Sequence, residues 1–464
     1  MSLFGAMNTA ISGIGAQAAA FGNISDNVAN SQTVGFKRVD TAFEDYLTTS
    51  TAAINSPGAV VAIPQYVNNE QGAISQTSNP LNMAIAGQGF FAVSQQTGEI
   101  SGQPTFNPQQ FYTRTGNFQM NKAGYVVNSA GQFLNGWPVD QTTGIANQNS
   151  LSPVQVSQSA YNPIATSQVT LSANLPATPA SQTATLAVPI SSDINVYDAL
   201  GTIHTVSLNW VQNADNNWTV SVVAPDALDD TVVPQTVPPT YNPNLGAADV
   251  QFGATSGNPV PAGTVGQIAP VQQLDNNGNP IANAGAITTA GYVAGTPATL
   301  SFTSDFGSGP QTITLNLGTY GKSGGVTQYA GSSYQLQGLT QNGVAPGSFS
   351  GVIAQENGDI VVNYDNGQTR TLAQVPVVTF NAPDSLQAQN GQAFSETLSS
   401  GTPLAEPASI NGAGNLVVSS VEGSNVDIAA EFSQLIVAQS AYSANTKVIT
   451  TAAQMLQQTV NMQT

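Results

Sequence analysis

The two ends of the chain carry the same hydrophobic pattern, in which apolar or small side chains recur at alternating steps of four and three residues. In the first segment the positions are Leu3, Met7, Ala10, Ile14, Gln17, Phe21, Ile24 and Val28. In the last segment they are Ile428, Phe432, Leu435, Gln439, Tyr442, Thr446, Ile449, Ala453, Leu456 and Val460. An average spacing of about 3.5 residues keeps one stripe of a helix facing a partner, as in a coiled coil. The pattern therefore predicts a coiled-coil-like helix at each terminus.

The first predicted helix, over residues 1–30, is poor in charge and rich in glycine. It contains four glycines, each of which costs about 1 kcal/mol of helix stability relative to alanine. Its only ionisable side chain is Asp26, whereas a solvated coiled coil usually carries charges beside its apolar stripe. We therefore expect this helix to fold mainly on packing and to be contacted on several sides.

The last predicted helix, over residues 425–464, follows a candidate capping box at residues 424–427. Asp427 and Glu431 are placed to favour the helix N-terminus, and Lys447 is the only cation along the helix. An ordinary amphipathic helix in a globular core would explain either terminal pattern alone. Two matching patterns at opposite ends of the chain favour helices that each require a partner.

Between the helices, turn residues and alternating apolar positions predict β-structure. Residues 151–344 contain many Pro, Ala and Thr residues among short alternating runs, with a hairpin predicted from strands at 202–211 and 218–223. A further strand is predicted at 312–317. The stretch 224–298 is rich in Pro, Gly and Asn, and it predicts long loops.

The predicted fold class is a multidomain α+β protein whose inner and outer domains are mainly β. Turn signals such as Asn357-Gly358-Asp359, which lies between alternating runs, mark the segments on both sides of the 151–344 insertion as β-rich. The predicted organisation is terminal helices over 1–30 and 425–464, connecting segments over 31–72 and 415–424, an inner β domain over 73–150 and 345–414, and an outer β domain inserted over 151–344.

Composition removes several classes of partner. Of the 464 residues, 41% are hydrophobic, which is enough for real cores, and only 7% are charged. The 7 Lys and Arg against 25 Asp and Glu give a net charge of −18, which disfavours binding to nucleic acid and to anionic membranes. No segment approaches about 20 uninterrupted apolar residues, so we expect no membrane insertion. The first residues do not form a cleavable secretory signal, so we expect any export to use another route.

The sequence offers no catalytic, cofactor or metal site. There is no cysteine, and His204 is the only histidine, so neither a catalytic triad nor a multi-histidine metal site can be built. His204 alternates onto one strand face with Val206, Leu208 and Trp210, which predicts a histidine at the edge of a core. Because a glycosidase needs only two carboxylates, a secreted β-rich carbohydrate-active enzyme or lectin remains the alternative from a different class.

Several segments resemble the signatures of bacterial flagellar rod and hook proteins. Residues 23–37 are similar to their N-terminal signature, residues 424–451 to their C-terminal signature, and residues 79–91 and 112–116 to their inner β domain. The residues that match the terminal signatures are Asn27, Asn30, Gly35, Phe36, Lys37, Asn425, Asp427 and Gln439. The chain departs from the family at Ser440, where relatives often have Arg, and this puts in doubt a salt bridge between protofilaments.

Length and the inserted domain favour hook proteins within that family, with distal rod or hook–filament junction proteins as the alternative. The resemblance implies an extracellular, cofactor-free structural subunit, exported without a cleaved signal peptide, that polymerises into a curved tube linking rod to filament. Its implied partners are copies of itself, the rod and hook–filament junction proteins at the ends, and the hook cap and flagellar export apparatus during assembly. The helical-core residues expected to pack between subunits are Leu3, Met7, Ile14, Phe21, Ile24, Val28, Ile428, Phe432, Leu435, Tyr442, Ile449, Leu456 and Val460.

Overall fold

The computed structural model describes residues 3–50, 55–177, 189–229, 239–274, 280–281, 284–331 and 333–461. The chain divides into two compact units. The terminal unit comprises Met1–Gln158, Phe349–Asn363 and Thr369–Thr464, and the inserted unit comprises Ser159–Ser348 and Tyr364–Gln368. The inserted unit begins and ends a few residues after the predicted limits of 151 and 344, and its assignment to an outer layer stays a prediction.

Two long helices, α1 (Leu3–Ala29) and α2 (Ile428–Asn461), confirm the predicted terminal helices. Asp427 caps α2, because its Oδ1 accepts hydrogen bonds from the backbone N–H of Ala429 at 2.9 Å and of Ala430 at 3.3 Å. The predicted capping box beginning at Ser424 is therefore wrong. Residues 424–426 stay outside the helix, since the side chain of Asn425 binds the backbone of the N-terminal segment instead.

A long hairpin follows α1 in the segment that was predicted only to connect. Strand β1 (Val39–Ser50) pairs antiparallel with β2 (Asn55–Tyr66), and we call them the N-terminal hairpin. The hairpin lies along α1: Asn23 Nδ2 donates to Thr41 Oγ1 at 2.9 Å, and the Val60 N–H donates to Ser12 Oγ at 3.0 Å. Since α2 also packs on α1, this helix is contacted from two sides, as its lack of charge predicts.

Short strands continue the terminal unit up to the insertion. They are β3 (Ile74–Gln76), β4 (Met83–Ala86), β5 (Phe91–Ser94), β6 (Gln96–Ile100), β7 (Gln103–Phe106), β8 (Phe111–Thr113), β9 (Gln119–Met120), β10 (Val126–Val127), β11 (Phe133–Pro138) and β12 (Ser152–Pro153). Aromatic side chains pack edge to face among them, as with Phe91 and Phe118, whose ring centroids are 5.4 Å apart.

The inserted unit is a β sandwich. Its strands are β13 (Gln168–Asn174), β14 (Ile190–Tyr197), β15 (Ile203–Ala214), β16 (Asn217–Val223), β17 (Asn244–Phe252), β18 (Val265–Val271), β19 (Thr288–Thr289), β20 (Pro297–Asp305), β21 (Pro310–Thr319), β22 (Val326–Thr327) and β23 (Gln335–Gln341). One sheet has the order β14-β15-β16-β17-β18; the other has the order β19-β20-β21-β13-β22, with β23 paired to β13. Buried side chains of both sheets form one continuous core.

Strand predictions in the inserted unit succeed where apolar residues alternate and fail where small residues replace them. The β15–β16 hairpin and the strand at 312–317, which lies within β21, are confirmed. The prediction of long loops over 224–298 is wrong at β17 and β18. In β17 the alternation is concealed because Gly246, Ala247 and Ala248 occupy positions close to the core.

After the insertion, the chain returns to complete the sheets of the terminal unit. The strands are β24 (Phe349–Ala354), β25 (Asp359–Tyr364), β26 (Thr369–Gln374), β27 (Val377–Thr379), β28 (Gln387–Gln389), β29 (Ala393–Ser395), β30 (Leu404–Glu406), β31 (Asn415–Val418) and β32 (Ser420–Glu422), with a 3-10 turn at Pro383–Ser385. Strand β31 pairs with β4 and β32 pairs with β3, so segments far apart in sequence meet next to the base of α2. Among the described helices, neither is long and apolar enough to cross a membrane.

Candidate functional site: the terminal junction and the helix pair

Three charged side chains are buried together where the N-terminal and C-terminal segments meet. We call Lys37, Arg114 and Glu422 the terminal junction. Lys37 Nζ lies 2.7 Å from Glu422 Oε1, and Arg114 Nη1 lies 3.0 Å from Glu422 Oε2. The side chain of Glu422 has no exposed surface, and those of Lys37 and Arg114 are almost as deeply buried. One carboxylate therefore compensates two buried cations.

Backbone groups satisfy much of the remaining hydrogen-bonding capacity of the junction. Arg114 donates from Nη1 to the Ile85 carbonyl at 3.1 Å and from Nη2 to the Gly87 carbonyl at 2.7 Å. The Gly72 N–H donates to Glu422 Oε1 at 2.8 Å. Burial lowers the pKa of both Lys37 and Arg114, and Glu422 opposes this shift through its charge and hydrogen bonds. Glu422 is thus the group that stabilises the charged forms of the two buried cations.

Two glycines let the backbone segments of the junction approach closely. Gly35 has a φ of +72°, and a Cβ there would lie 2.6 Å from the Thr115 nitrogen. At Gly116 a Cβ would lie only 1.6 Å from the Met83 carbonyl oxygen. The Gly35 N–H also donates to the Glu422 carbonyl at 2.8 Å. Glycine at these positions therefore follows from contact between backbones.

Two asparagines tie the ends of the helices to the base of the N-terminal hairpin. Asn27 accepts a hydrogen bond from the Val39 N–H at 2.9 Å and donates to the Val39 carbonyl at 3.0 Å. Asn425 accepts from the Arg38 N–H at 2.8 Å and donates to the Val67 carbonyl at 3.1 Å. These backbone groups have no regular strand partner at the base of the hairpin, and the two asparagine side chains provide their hydrogen bonds instead.

Other predicted signature residues have local roles or lie on the surface. Asn30 ends α1 by donating to Asp26 Oδ1 at 2.9 Å. Phe36 is half-buried, and its carbonyl accepts from the Asn425 N–H at 3.4 Å. Gln439 is exposed on α2. Beside it, the hydroxyl of Ser440 donates to the Ile436 carbonyl of its own helix at 2.9 Å.

Helices α1 and α2 pack antiparallel. Asn27 Nδ2 donates to Glu431 Oε1 at 3.1 Å near one end, while Gly13 faces Asn445 farther along, where a Cβ would lie 2.8 Å from Nδ2. Small residues on both helices make this close approach possible, including the buried Ala438 on α2. We call the two packed helices the helix pair.

The predicted core stripe of α1 is covered, whereas that of α2 is divided between two faces. Buried or half-buried positions of the α1 stripe are Met7, Ile14, Phe21, Ile24 and Val28. Half-buried positions of the α2 stripe are Leu435, Ile449 and Leu456, and exposed ones are Ile428, Phe432 and Tyr442. The side chains of Leu3 and Val460 lie outside what the structure describes.

The division arises because α2 faces α1 through a stripe shifted by part of a turn. Its most covered positions are Ala430, Glu431, Leu435, Ala438, Ala441, Asn445, Ile449, Ala452 and Leu456. Tyr442 lies at the border, 6.3 Å from Phe21 between ring centroids. Ile428, Phe432 and Ile436, at steps of four residues, form a second apolar face of α2 that α1 does not cover.

Glu431 is a carboxyl group buried at the end of the helix pair, with 1% of its surface exposed. Asn27 donates to Oε1, while Oε2 is buried with no hydrogen-bond partner among the described residues. Burial raises the pKa of Glu431 above its usual value, Asp40 and Asp427 add to the rise, and Asn27 and Arg38 oppose it. The protonated form is thus favoured by packing of the helices.

We expect Glu431 to make the helix pair more stable at acidic pH than at neutral pH. A carboxyl whose folded-state pKa is raised contributes stability that is fully present below the unfolded pKa and is lost as pH rises through the folded pKa. Glu431→Gln, which keeps the hydrogen bond from Asn27, should remove this contribution to the pH dependence. Thermal unfolding followed by helix circular dichroism from about pH 4 to 8 measures it as the difference between variant and wild type. Parallel profiles would contradict the role of Glu431.

The described residues hold no group of three or more His, Asp or Glu side chains placed to bind a metal ion. His204 confirms its predicted place on the buried face of its strand with Val206, Leu208 and Trp210. Its Nδ1 pairs with Asp226, and its ring stacks on Phe306 with centroids 4.1 Å apart. This histidine completes the edge of the core of the inserted unit.

The sequence pattern missed Glu422 and the bond made by Glu431. A signal for Glu422 exists: Lys37 and Arg114 are two of only 7 Lys and Arg residues in the chain, and a buried cation requires an acid. Glu422 follows the mainly apolar segment 416–421, and the next carboxylate along the chain is Asp427. Its pairing could not be read from spacing, since it lies 385 residues from Lys37.

Comparison with protein families covers most of the chain outside its first 83 residues. Residues 84–174 match a family described as the flagellar hook protein FlgE/F/G D1 domain. Residues 165–344 match the flagellar basal body protein FlaE D2 domain, and residues 418–462 match the flagellar basal body rod FlgEFG protein C-terminal region. The D2 match coincides with most of the inserted unit.

Curated relatives extend the similarity over the whole length. The flagellar hook protein FlgE of Brucella abortus is 30% identical over 462 residues, covering 100% of both chains. That of Escherichia coli K12 is 28% identical over 465 residues, covering 98% of this chain and 100% of its own. The crystal structure of Helicobacter pylori flagellar hook protein FlgE2 aligns at 13% identity and a TM-score of 0.45, over 74% of this chain and 98% of that one. On the strength of the sequence relatives, the chain belongs to the flagellar hook protein family.

Proposed function

We propose that this chain is the structural subunit of a flagellar hook, polymerising into the curved, flexible tube that couples rod to filament and transmits torque. The observation that carries the proposal is the full-length match to flagellar hook proteins, which includes the inserted unit. Members of this family are structural proteins and not enzymes. Neither the distal rod and junction alternatives nor the carbohydrate-active alternative is favoured by these relatives.

The surface chemistry suits a subunit that buries much of itself against neighbours. Only 7% of the residues are charged, so an interface can form without desolvating many ions. The second apolar face of α2 remains uncovered in a single copy, with Phe432 51% exposed and Ile436 64% exposed. Contiguous exposed apolar residues of this kind mark an interaction surface.

In the assembled tube, the helix pair supplies a coiled-coil-like inner core and the β domains supply the outer layers. The helical-core positions are those of the two predicted stripes, and the inserted unit occupies the outside. The glycine-rich α1 passes through export unfolded and folds on packing, since an isolated helix with such a sequence is marginal. The rod, the hook–filament junction proteins, the hook cap and the export apparatus are the expected partners, and the subunit lies outside the cell without a cleaved signal peptide.

Polymerisation of the purified chain tests the function. We expect long curved tubes by negative-stain electron microscopy, because a helical array of identical subunits with a compliant outer layer bends regularly. Straight rods would favour the distal rod alternative. Monomers that bind or hydrolyse glycans would support the carbohydrate-active alternative and overturn the proposal.

Deletion of the inserted unit tests the division between layers. We expect a chain lacking residues 159–348, closed by a short Gly-Ser linker, to form tubes of irregular curvature, because the polar outer contacts that set curvature are lost while the helix pair remains. Tube curvature measured in electron micrographs, beside wild-type tubes, gives the readout. Loss of all polymer from a folded deletion variant would contradict the layered arrangement.

A further inference from the structure

We propose that the outer face of the N-terminal hairpin of one copy docks on the uncovered face of α2 of a second copy, with Glu44 meeting Lys447. This inference rests on the proposed function and specifies which two surfaces join. It follows from the register of the hairpin, the exposure of α2 and the distribution of charge on both.

The outer face of the hairpin is apolar with an acidic centre. In the antiparallel register, Glu44 lies opposite Val61, and Ala42 lies opposite Ile63, so these residues share one face with Tyr46 two positions on. Tyr46 is 55% exposed, and Val61, Ile63 and Glu44 are also exposed. An exposed apolar strand face of this kind indicates a surface that packs against another protein surface.

The uncovered face of α2 is apolar with a basic end. Ile428, Phe432 and Ile436 follow each other at steps of four and are exposed. Lys447, also exposed, comes eleven residues after Ile436, which is about three helical turns and places it on the same side of the helix. Lys447 and the buried Glu431 are the only charged residues within α2.

Charge complementarity selects the occupant of each face. Residues 39–66 contain Asp40, Glu44 and Asp45 and no cation. Within the described part of the chain, Glu44, Asp45 and Lys447 have no ion-pair partner. An unpaired charge is costly to bury in an interface, whereas a paired one fixes register at little net cost. The outer face of the hairpin, with its acidic Glu44, therefore complements the uncovered face of α2, with its basic Lys447.

The spacing of the two faces also agrees. Lys447 lies about 16 Å along the axis from Ile436, and the lean of helical side chains toward the N-terminus shortens this to about 11 Å at its ammonium group. On the hairpin, Ile63 lies opposite Ala42, which is two residues from Glu44, so Glu44 and Ile63 are separated by about 7 Å along the strand. The length of a glutamate side chain makes up the difference between the separation on the hairpin and the separation on the helix.

Topology explains why the contact forms between copies. Within one chain α1 packs against both the hairpin and α2, and both outer faces stay exposed. A helical polymer requires a heterologous interface, in which two different surfaces of the same chain complement each other. The hairpin and α2 supply such a pair on the elements that surround α1.

Cysteine cross-linking tests the contact directly, because the chain has no native cysteine. Copies carrying Glu44→Cys are mixed with copies carrying Lys447→Cys, polymerised and oxidised. We expect a disulfide-linked dimer on a non-reducing gel from polymer and none from monomer. Glu44→Cys mixed with Leu398→Cys, at another exposed position, serves as the matched control and should not cross-link. Tubes that form without the 44–447 dimer would overturn the docking but leave the proposed function standing.

Charge reversal gives a second readout that needs no cross-link. We expect Lys447→Glu to raise the critical concentration for polymerisation about tenfold, and the double variant Lys447→Glu with Glu44→Lys to recover most of the loss. Lys122→Glu changes the net charge equally at an exposed turn and should polymerise as wild type. Equal critical concentrations for Lys447→Glu and Lys122→Glu would overturn the docking. Wild-type chain that forms no polymer at any concentration would instead overturn the proposed function.

Discussion

Replacing Glu422 with glutamine is expected to destabilise the terminal unit by about 3–5 kcal/mol, because it leaves two buried cations without their counter-charge. Lys37 and Arg114 both bond to this carboxylate, and neither side chain has more than 2% of its surface exposed. Glutamine keeps the shape and one acceptor oxygen, so the loss reports charge more than packing. The effect should appear where the N-terminal and C-terminal segments meet, in strands β3, β4, β31 and β32.

Hydrogen exchange followed by mass spectrometry measures this locally. At 1.4 kcal/mol for each tenfold change, protected amides of those strands should exchange about two to three and a half powers of ten faster, while β15 and β16 in the inserted unit keep their rates. Glu356→Gln is the matched control, since Glu356 is exposed in a turn, and it should change stability by less than about 0.5 kcal/mol. Similar exchange in the Glu422 and Glu356 variants would show that the junction does not hold the terminal unit together.

The helices were predictable because their signal is local and repeated, whereas the junction joins residues that no window contains. The steps of four and three define α1 and α2 to within a few residues. Glu422 meets Arg114 across 308 residues of sequence. The N-terminal hairpin was missed because small and polar residues, such as Thr41 on the side of β1 toward α1, interrupt its apolar positions, and such a sequence resembles a connecting segment.

Periodicity also could not decide which face of α2 meets α1. The same average coiled-coil spacing fits two neighbouring faces of the helix, whose positions are offset from each other by one residue. The choice depends on small residues, since Ala438 and Ala452 are buried while the larger Phe432 and Ile436 are exposed. Close helix approach selects small side chains at the seam and leaves the larger ones outside.

The choice of the face that meets α1 predicts different effects for substitutions at two adjacent residues, 435 and 436. Ile436→Asp should raise the critical concentration for polymerisation at least about a hundredfold, because assembly would bury an unpaired carboxylate. The monomer should be almost unchanged, since Ile436 is 64% exposed. Leu435→Asp should instead loosen the helix pair within the monomer by about 2–3 kcal/mol, because Leu435 is half-buried on the side of α2 that faces α1.

Two measurements on the same samples separate these effects. Polymer yield after high-speed sedimentation reports assembly, and helix circular dichroism of the unpolymerised chain reports the helix pair. Ile436→Leu keeps the apolar area and should polymerise as wild type. We expect Ile436→Asp to lose polymer with full helix signal, and Leu435→Asp to lose both, with the β units still folded in each case. Normal tubes from Ile436→Asp would mean that this face of α2 is not an assembly surface. A weakened helix pair in its monomer would mean that residue 436 belongs to the seam with α1.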